Sequence, residues 1–360
     1  MAISRPCYTS RETVARALEA KETARRNAQI DRAIEAASDT IDGGAQGANR
    51  GAGLLHRRLW PETATRYFDW PADSRPWRLW LGQHDLISVT SLTAADEAIA
   101  ASDYFLRPDD GPPYDRIEID LGGPAAFTAG TTTQRAVAIT GVWGYTADTA
   151  PAGALNGAIN ASVTSLTVTD SSQVGVGDLI VIDTERLLVT NKTMADTGVN
   201  IAAADSLTAT KNDVSITLST ATNAPAVDEV ILIDSERMLV TDVAGTVATV
   251  IRAYDGTVLA AHAAAADIYA PRALTVRRAA TGSTAASHSD AAAVSRWVAP
   301  PLVRDLALGL ALNQVLQEGS GYARVAGAGD HQREFTGRGI AALTKDVCRA
   351  YGRRARTGAV

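Results

Sequence analysis

A run of ten residues recurs in this chain with seven of them identical. Val181-Ile182-Asp183-Thr184-Glu185-Arg186-Leu187-Leu188-Val189-Thr190 returns as Leu232-Ile233-Asp234-Ser235-Glu236-Arg237-Met238-Leu239-Val240-Thr241, an offset of 51. Upstream, Leu166-Thr167-Val168 matches Ile216-Thr217-Leu218, and Val176-Gly177-Asp178 faces Val227-Asp228-Glu229. Two copies are too few for a solenoid or a propeller, whose units need several neighbours to bury their faces. A duplicated small β module fits instead. In each copy a D-[ST]-E-R turn joins two runs of Val, Ile and Leu that can share a core.

The same turn raises a question of chemistry. Asp183 with Glu185, and Asp234 with Glu236, are carboxylate pairs of the kind used for acid–base work. Residues two apart share a strand face only if no turn intervenes, and a turn is expected here. A catalytic pair is also rarely built twice into one chain, so the pairs are read as structural.

Around this repeat the composition shifts. Residues 1–60 carry 10 basic and 7 acidic residues, residues 61–321 carry 16 and 30, and residues 322–360 carry 8 and 3. The net charge of -6 therefore averages basic ends and an acidic middle. Such asymmetry suits surfaces that meet different partners. The small basic clusters Arg57-Arg58 and Arg353-Arg354-Arg356 fall short of a phosphate-tracking groove.

The N-terminal stretch reads as one long Ala-rich helix of roughly thirty residues, opened by Thr9 and Glu12 at capping-box spacing. Val14, Leu18, Ile30 and Ile34 form its thin apolar stripe, and Gly43, Gly44 and Gly47 stop it. Two partners suit such a stripe: a neighbouring subunit, or the chain's own core.

Trp60, Trp70, Trp77 and Trp80 then open a region of short alternating runs, among them Arg78–Leu81, Leu86–Val89 and Ala136–Thr140. These are expected to be strands, with the tryptophans as their core rather than as a base-stacking platform. Ala279–Asp290 reads as a linker. Two helices close the chain, one opened by Pro300-Pro301 and one over about Arg338–Tyr351 ending at Gly352.

Reactive motifs are sparse. His56, His84, His262, His288 and His331 have no partner at helical metal-ligand spacing, and Cys7 and Cys348 lie at opposite ends. No P-loop, Rossmann fingerprint or nucleophile elbow is found. We therefore expect no enzyme activity, catalytic residue, metal or cofactor. No run approaches the ~20 apolar residues of a membrane span, and MAISRPCYTSRE lacks the apolar core of a secretory signal.

Three stretches carry a family resemblance. They are Tyr8-Thr9 with the helix containing Ile34-Glu35-Ala36-Ala37-Ser38; the middle segments Thr65–Pro71, Arg78–Leu81, Leu86–Thr90 and Ile139–Tyr145; and the end, Gly319–Ala323 with Tyr351-Gly352-Arg353-Arg354. In this order they resemble the head-to-tail connector (adaptor) proteins of long-tailed phages. The resemblance implies a structural virion protein at the neck, made in the host cytoplasm. It would form a ring, usually of twelve copies, below the portal protein. It would extend the DNA channel and offer a platform to a head-closure or other neck protein, with DNA passing through unread. The basic end, Arg353, Arg354 and Arg356, would contact the portal. Val14, Leu18, Ile30 and Ile34 are the candidates for packing between subunits.

The fold expected is α+β: a helical adaptor core with a β-hairpin region and an inserted, duplicated all-β module. Its parts would be 1–150 and 276–360 for the core and 151–275 for the insert. Two other classes of function are alternatives. One is a tail or head-decoration protein whose β modules bind a host glycan or a capsid neighbour, and the other is a glycan hydrolase using Asp/Glu pairs.

Overall fold

The computed structural model describes residues 3–18, 23–43, 53–71, 75, 77–319, 325–326, 333–334 and 338–353. Strands take up 36% of the described residues and helices 21%. The chain is therefore mostly β, and the expected helical core is not its organising element. It divides into two compact units. One comprises Met1–Ser38, Thr149–Ala280 and Thr284–Leu343, the other Asp39–Asp148, Thr281–Ser283 and Thr344–Val360.

The second unit holds the Trp-rich region. Its strands are β1 (Glu62–Phe68), β2 (Arg78–Trp80), β3 (Leu86–Ala94), β4 (Glu97–Ile99), β5 (Tyr104–Arg107), β6 (Arg116–Ile119) and β7 (Val137–Trp143). They form an antiparallel sheet in the order β1-β7-β3-β4 and a smaller one, β2-β6-β5. Along β7 every second residue is fully buried, the period-2 pattern of a strand with one face in a core. Trp70, Trp143 and Phe127 lie in that core with Leu81, Leu86, Ile117 and Ile139. Trp60 is also buried and Trp77 half-buried, but Trp80 is 48% exposed.

Gly141 sits where β7 crosses bulged β3. A Cβ there would collide with the Ser88 carbonyl oxygen, so only glycine lets the two backbones close.

The first unit contains both copies of the repeat. Ten of its strands are β8 (Thr149–Ala154), β9 (Ser165–Thr167), β10 (Leu179–Ile182), β11 (Glu185–Asn200), β12 (Ser215–Thr217), β13 (Val230–Ile233), β14 (Glu236–Ala244), β15 (Val247–Ile251), β16 (Asp267–Arg277) and β17 (Ala293–Trp297). All ten join one sheet, ordered β12-β15-β14-β13-β16-β11-β10-β17-β8, with β9 also on β16.

This order is one pattern used twice. In the outer copy β12 pairs β15, β15 pairs β14, β14 pairs β13, and β13 pairs β16. In the inner copy β9 pairs β16, β16 pairs β11, β11 pairs β10, and β10 pairs β17. Bridges outside the strands repeat as well: Leu155–Val168 and Ile159–His288 match Ile201–Leu218 and Leu207–His262. The outer copy is thus nested in the inner one, at the tip of the β11–β16 ladder. It encloses its own apolar core of Ile201, Ile216, Ile231, Ile233, Met238 and Val250 among others.

Three expectations are corrected by this arrangement. Residue 275 lies inside β16, so the duplicated region does not stop there but runs on to Trp297. Ala279–Asp290 is not a linker, because it supplies buried contacts of the inner module. The N-terminal stretch is described as two helices, α1 (Arg11–Ala17) and α2 (Ala24–Asp42). Ser10 rather than Thr9 caps α1, accepting from the Thr13 amide at 3.3 Å. Glu12 turns away from the cap and accepts the Val176 amide at 2.8 Å.

These helices reach the inner β module through Arg11, Glu12 and Ile34. Val14, Ile30 and Ile34 have no exposed surface, and Leu18 is half-buried. The apolar stripe is therefore spent within the chain, with Ile34 beside Gly177 of the inner module. At the other end, α3 (Pro301–Gly319) buries Val303, Leu306, Ala307, Ala311 and Val315, and α4 spans Arg338–Tyr351.

Candidate functional site

Each module turns on a two-residue hairpin: Ile182 pairs Glu185, and Ile233 pairs Glu236. The turn aspartates, Asp183 and Asp234, have φ of 52° and 51°, a left-handed conformation that Asp tolerates better than most residues. The turn puts Glu185 and Glu236 into the core, both without exposed surface, and leaves the aspartates 64% exposed.

A fastener forms around each buried glutamate. Glu236 receives Arg252 through two hydrogen bonds of 2.8 Å, Nε to Oε1 and Nη2 to Oε2. The Ala253 and Ala260 amides add bonds of 2.8 and 3.0 Å, and His262 Nε2 lies 2.9 Å from Oε2. His262 Nδ1 lies 2.7 Å from Asp234. The inner module repeats every contact: Arg278 at 2.8 and 2.7 Å, the Ala279 and Ala286 amides at 3.0 and 2.9 Å, and His288 at 3.0 Å from Glu185 and 2.7 Å from Asp183. The remaining arginine protons reach carbonyls, Thr208 and Asp213 in one copy, Asn160 and Val163 in the other.

Burial opposes the charge on these glutamates. Their arginine, amide and histidine donors outweigh it and hold both pKa values down at about 2. With two or three donors on each oxygen, little acceptor capacity is left for a substrate. The constellation therefore clamps the loop between Arg252 and His262, or Arg278 and His288, onto its hairpin.

The sequence carries a signal for this fastener beyond the decamer. Val250-Ile251-Arg252-Ala253 with Gly256-Thr257, Ala260 and His262 recurs as Val276-Arg277-Arg278-Ala279 with Gly282-Ser283, Ala286 and His288. Its offset is 26 where the decamer's is 51, because the outer module lies inside the inner one. Two different offsets for the two halves of one repeat are the mark of nesting.

Two carboxylates placed alike in the modules differ. Glu229 holds Arg272 at 2.8 and 3.0 Å; burial works against its charge, but the arginine and two amides bring its pKa below the usual range. Asp178 has Arg296 only at 3.8 Å, and burial pushes its pKa up to about 6. Cys7 is buried, which raises its thiol far from reactivity.

The second unit joins the two basic clusters noted in the sequence. Asp85 sits between Arg57 Nε at 3.3 Å and Arg353 Nη2 at 2.6 Å. Arg353 also donates to the Gly82 carbonyl at 2.6 Å, and its amide to the Leu55 carbonyl at 3.0 Å. Tyr351 meets Tyr145 edge-on at 5.7 Å, with Arg57 over the Tyr145 ring. Burial, offset in part by Asp85, lowers the Arg57 pKa. Beside them Glu62 takes Arg58 at 2.7 Å and Arg66 at 3.3 Å, and Arg66 also contacts His84.

Of the candidate portal-contact residues, Arg353 is thus an internal anchor, while Arg354 and Arg356 lie outside the described residues. Of the packing candidates, Val14, Ile30 and Ile34 are closed to any partner by burial. Among the described residues no group of three or more His, Cys, Asp or Glu could hold a metal, and no helix is long and apolar enough to cross a membrane. No family model, curated protein or solved structure matches the chain.

Proposed function

We propose that the chain is a structural subunit of a tailed-phage particle, an adaptor that forms a ring between the portal and a head-closure or neck protein around the DNA channel. The reading rests on the β unit and not on a helical core. One observation carries it. Segments that resemble adaptors but lie far apart in sequence come together in one unit: β1 and β7 pair, β7 pairs β3, and Tyr351 closes on Tyr145. The same closure anchors Arg353 beside Arg57 on Asp85, so the basic end leaves from a fixed point of this unit. Arg354 and Arg356 are then the residues proposed to reach an acidic groove of the portal.

The test is co-purification with the portal protein of the same phage. The full chain is expected to co-migrate with the portal. A chain truncated after Arg353, which keeps the Asp85 pair, is expected to lose most of that attachment. A full chain that never associates with portal contradicts the adaptor reading, and unchanged association of the truncated chain contradicts the role of the basic end.

A further inference from the structure

Each fastener holds a histidine between two carboxylates. His262 Nδ1 faces Asp234 at 2.7 Å, and its Nε2 faces Glu236 at 2.9 Å. His288 repeats this with Asp183 at 2.7 Å and Glu185 at 3.0 Å. An ionised carboxylate accepts and does not donate, so each contact is a hydrogen bond only where the ring nitrogen carries a proton. A neutral imidazole has one N–H, and its other nitrogen presents a lone pair. Both bonds together require the imidazolium form.

The charges around the rings agree with that form. His262 shares its fastener with Asp234 from the turn, Glu236 from β14 and Arg252 from beyond β15. Arg252 also takes the Asp213 carbonyl, and the carboxylate of Asp213 is occupied by Thr208 at 2.6 and 2.7 Å. On the loop itself, Asp255 takes Arg237 at 3.1 Å. His288 shares its fastener with Asp183, Glu185 and Arg278. With an imidazolium, the Asp, Glu, Arg and His of each fastener cancel. With a neutral ring one negative charge remains, on a glutamate without exposed surface and beside a histidine side chain 0% or 1% exposed. An uncompensated charge at that depth is strongly disfavoured.

We infer that His262 and His288 are imidazolium cations that latch each loop to its hairpin, and that losing one ring proton opens the latch. Each ring ties the end of its loop to the hairpin on two sides, to the exposed turn aspartate and to the buried glutamate. When either nitrogen loses its proton, its lone pair meets a carboxylate oxygen and a bond becomes a repulsion. The histidine backbones stay paired, His262 with Leu207 and His288 with Ile159. What loosens is the loop ahead of each ring, Ala253–Ala260 or Ala279–Ala286, whose end amides bond the same glutamate. The arginines keep their charge, so the hairpins stay formed while the loops move. The latch is therefore closed at lower pH and opens as pH rises. It rests on the fasteners alone and not on a place in a phage particle.

The test follows histidine ring nitrogens and amide hydrogen exchange together by NMR, in the full chain labelled with nitrogen-15, across a pH series. The two rings are assigned by the signals lost in His262→Gln and His288→Gln. Both nitrogens of each ring are expected to be protonated while its loop is protected. The Ala253 and Ala260 amides are expected to exchange faster, relative to the ladder amides of β14, at the pH where His262 loses a proton. Asp234→Asn keeps the turn, because Asn tolerates its positive φ. It is expected to lower that pH by about one unit and to leave His288 unmoved. Circular dichroism melts check that the variants fold. A singly protonated ring under a protected loop overturns the inference. So does ring-proton loss without faster loop exchange, a ring that keeps both protons until the chain unfolds, or an Asp234→Asn variant that titrates like the parent.

Discussion

Arg252 meets Glu236 through two hydrogen bonds of 2.8 Å, and neither side chain has exposed surface. Removing one partner of such a pair leaves a buried charge uncompensated, at a cost of about 3–5 kcal/mol. Arg252→Met is therefore expected to lower the urea midpoint strongly. The double variant Arg252→Met/Glu236→Met is expected to recover part of the loss, because no lone charge remains. Urea unfolding of the two variants checks this, and a double variant no better than the single one contradicts it.

The glutamates of both fasteners also set the acid limb of stability. Their folded pKa values, about 2, lie below the ordinary 4.5. Their contribution is present above pH 4.5 and is lost as pH falls from there toward 2. Melting temperature is expected to drop across that window. In Glu236→Gln, whose neutral side chain does not titrate, the drop should be shallower from a lower starting point.

Asp178 acts with the opposite sign. Its folded pKa, about 6, lies above the ordinary 3.8, so between these values the folded chain holds a proton that the unfolded chain has released. Stability from this residue falls as pH rises through that window, by on the order of 2–3 kcal/mol when complete. Asp178→Asn can keep the bond from the Gly175 amide without the buried charge. The variant is expected to melt higher than the parent at pH 7.5 and to show little gain at pH 4. Equal melting at both pH values would refute the assignment.

The decamer repeat was legible in the sequence because its residues are contiguous, and it did announce paired β modules. Their nesting was less visible. The second half of the repeat is diluted to an arginine, a glycine and a histidine among Ala, Ser and Thr, so Ala279–Asp290 resembled a linker. The apolar spacing of Val14, Ile30 and Ile34 marks a buried face without saying what buries it, and the β modules proved to be close at hand. Arg353 resembled a free tail residue because its partner, Asp85, comes from a remote part of the chain and only the fold brings them together.

Gly141→Ala tests the packing of the second unit. The added methyl would meet the Ser88 carbonyl oxygen in a sheet that is closed on both sides, by β1 and by β3. Overpacking of this kind costs about 1–3 kcal/mol. A lower melting temperature is expected, whereas Gly245→Ala, in open space at φ 63°, should show only the smaller cost of its backbone conformation.

Negative-stain imaging of the purified chain with its portal tests the adaptor reading most directly. The account predicts rings with a central hole, coaxial with the portal. Monomers or trimers under the same conditions, with the portal ring bare, would contradict it.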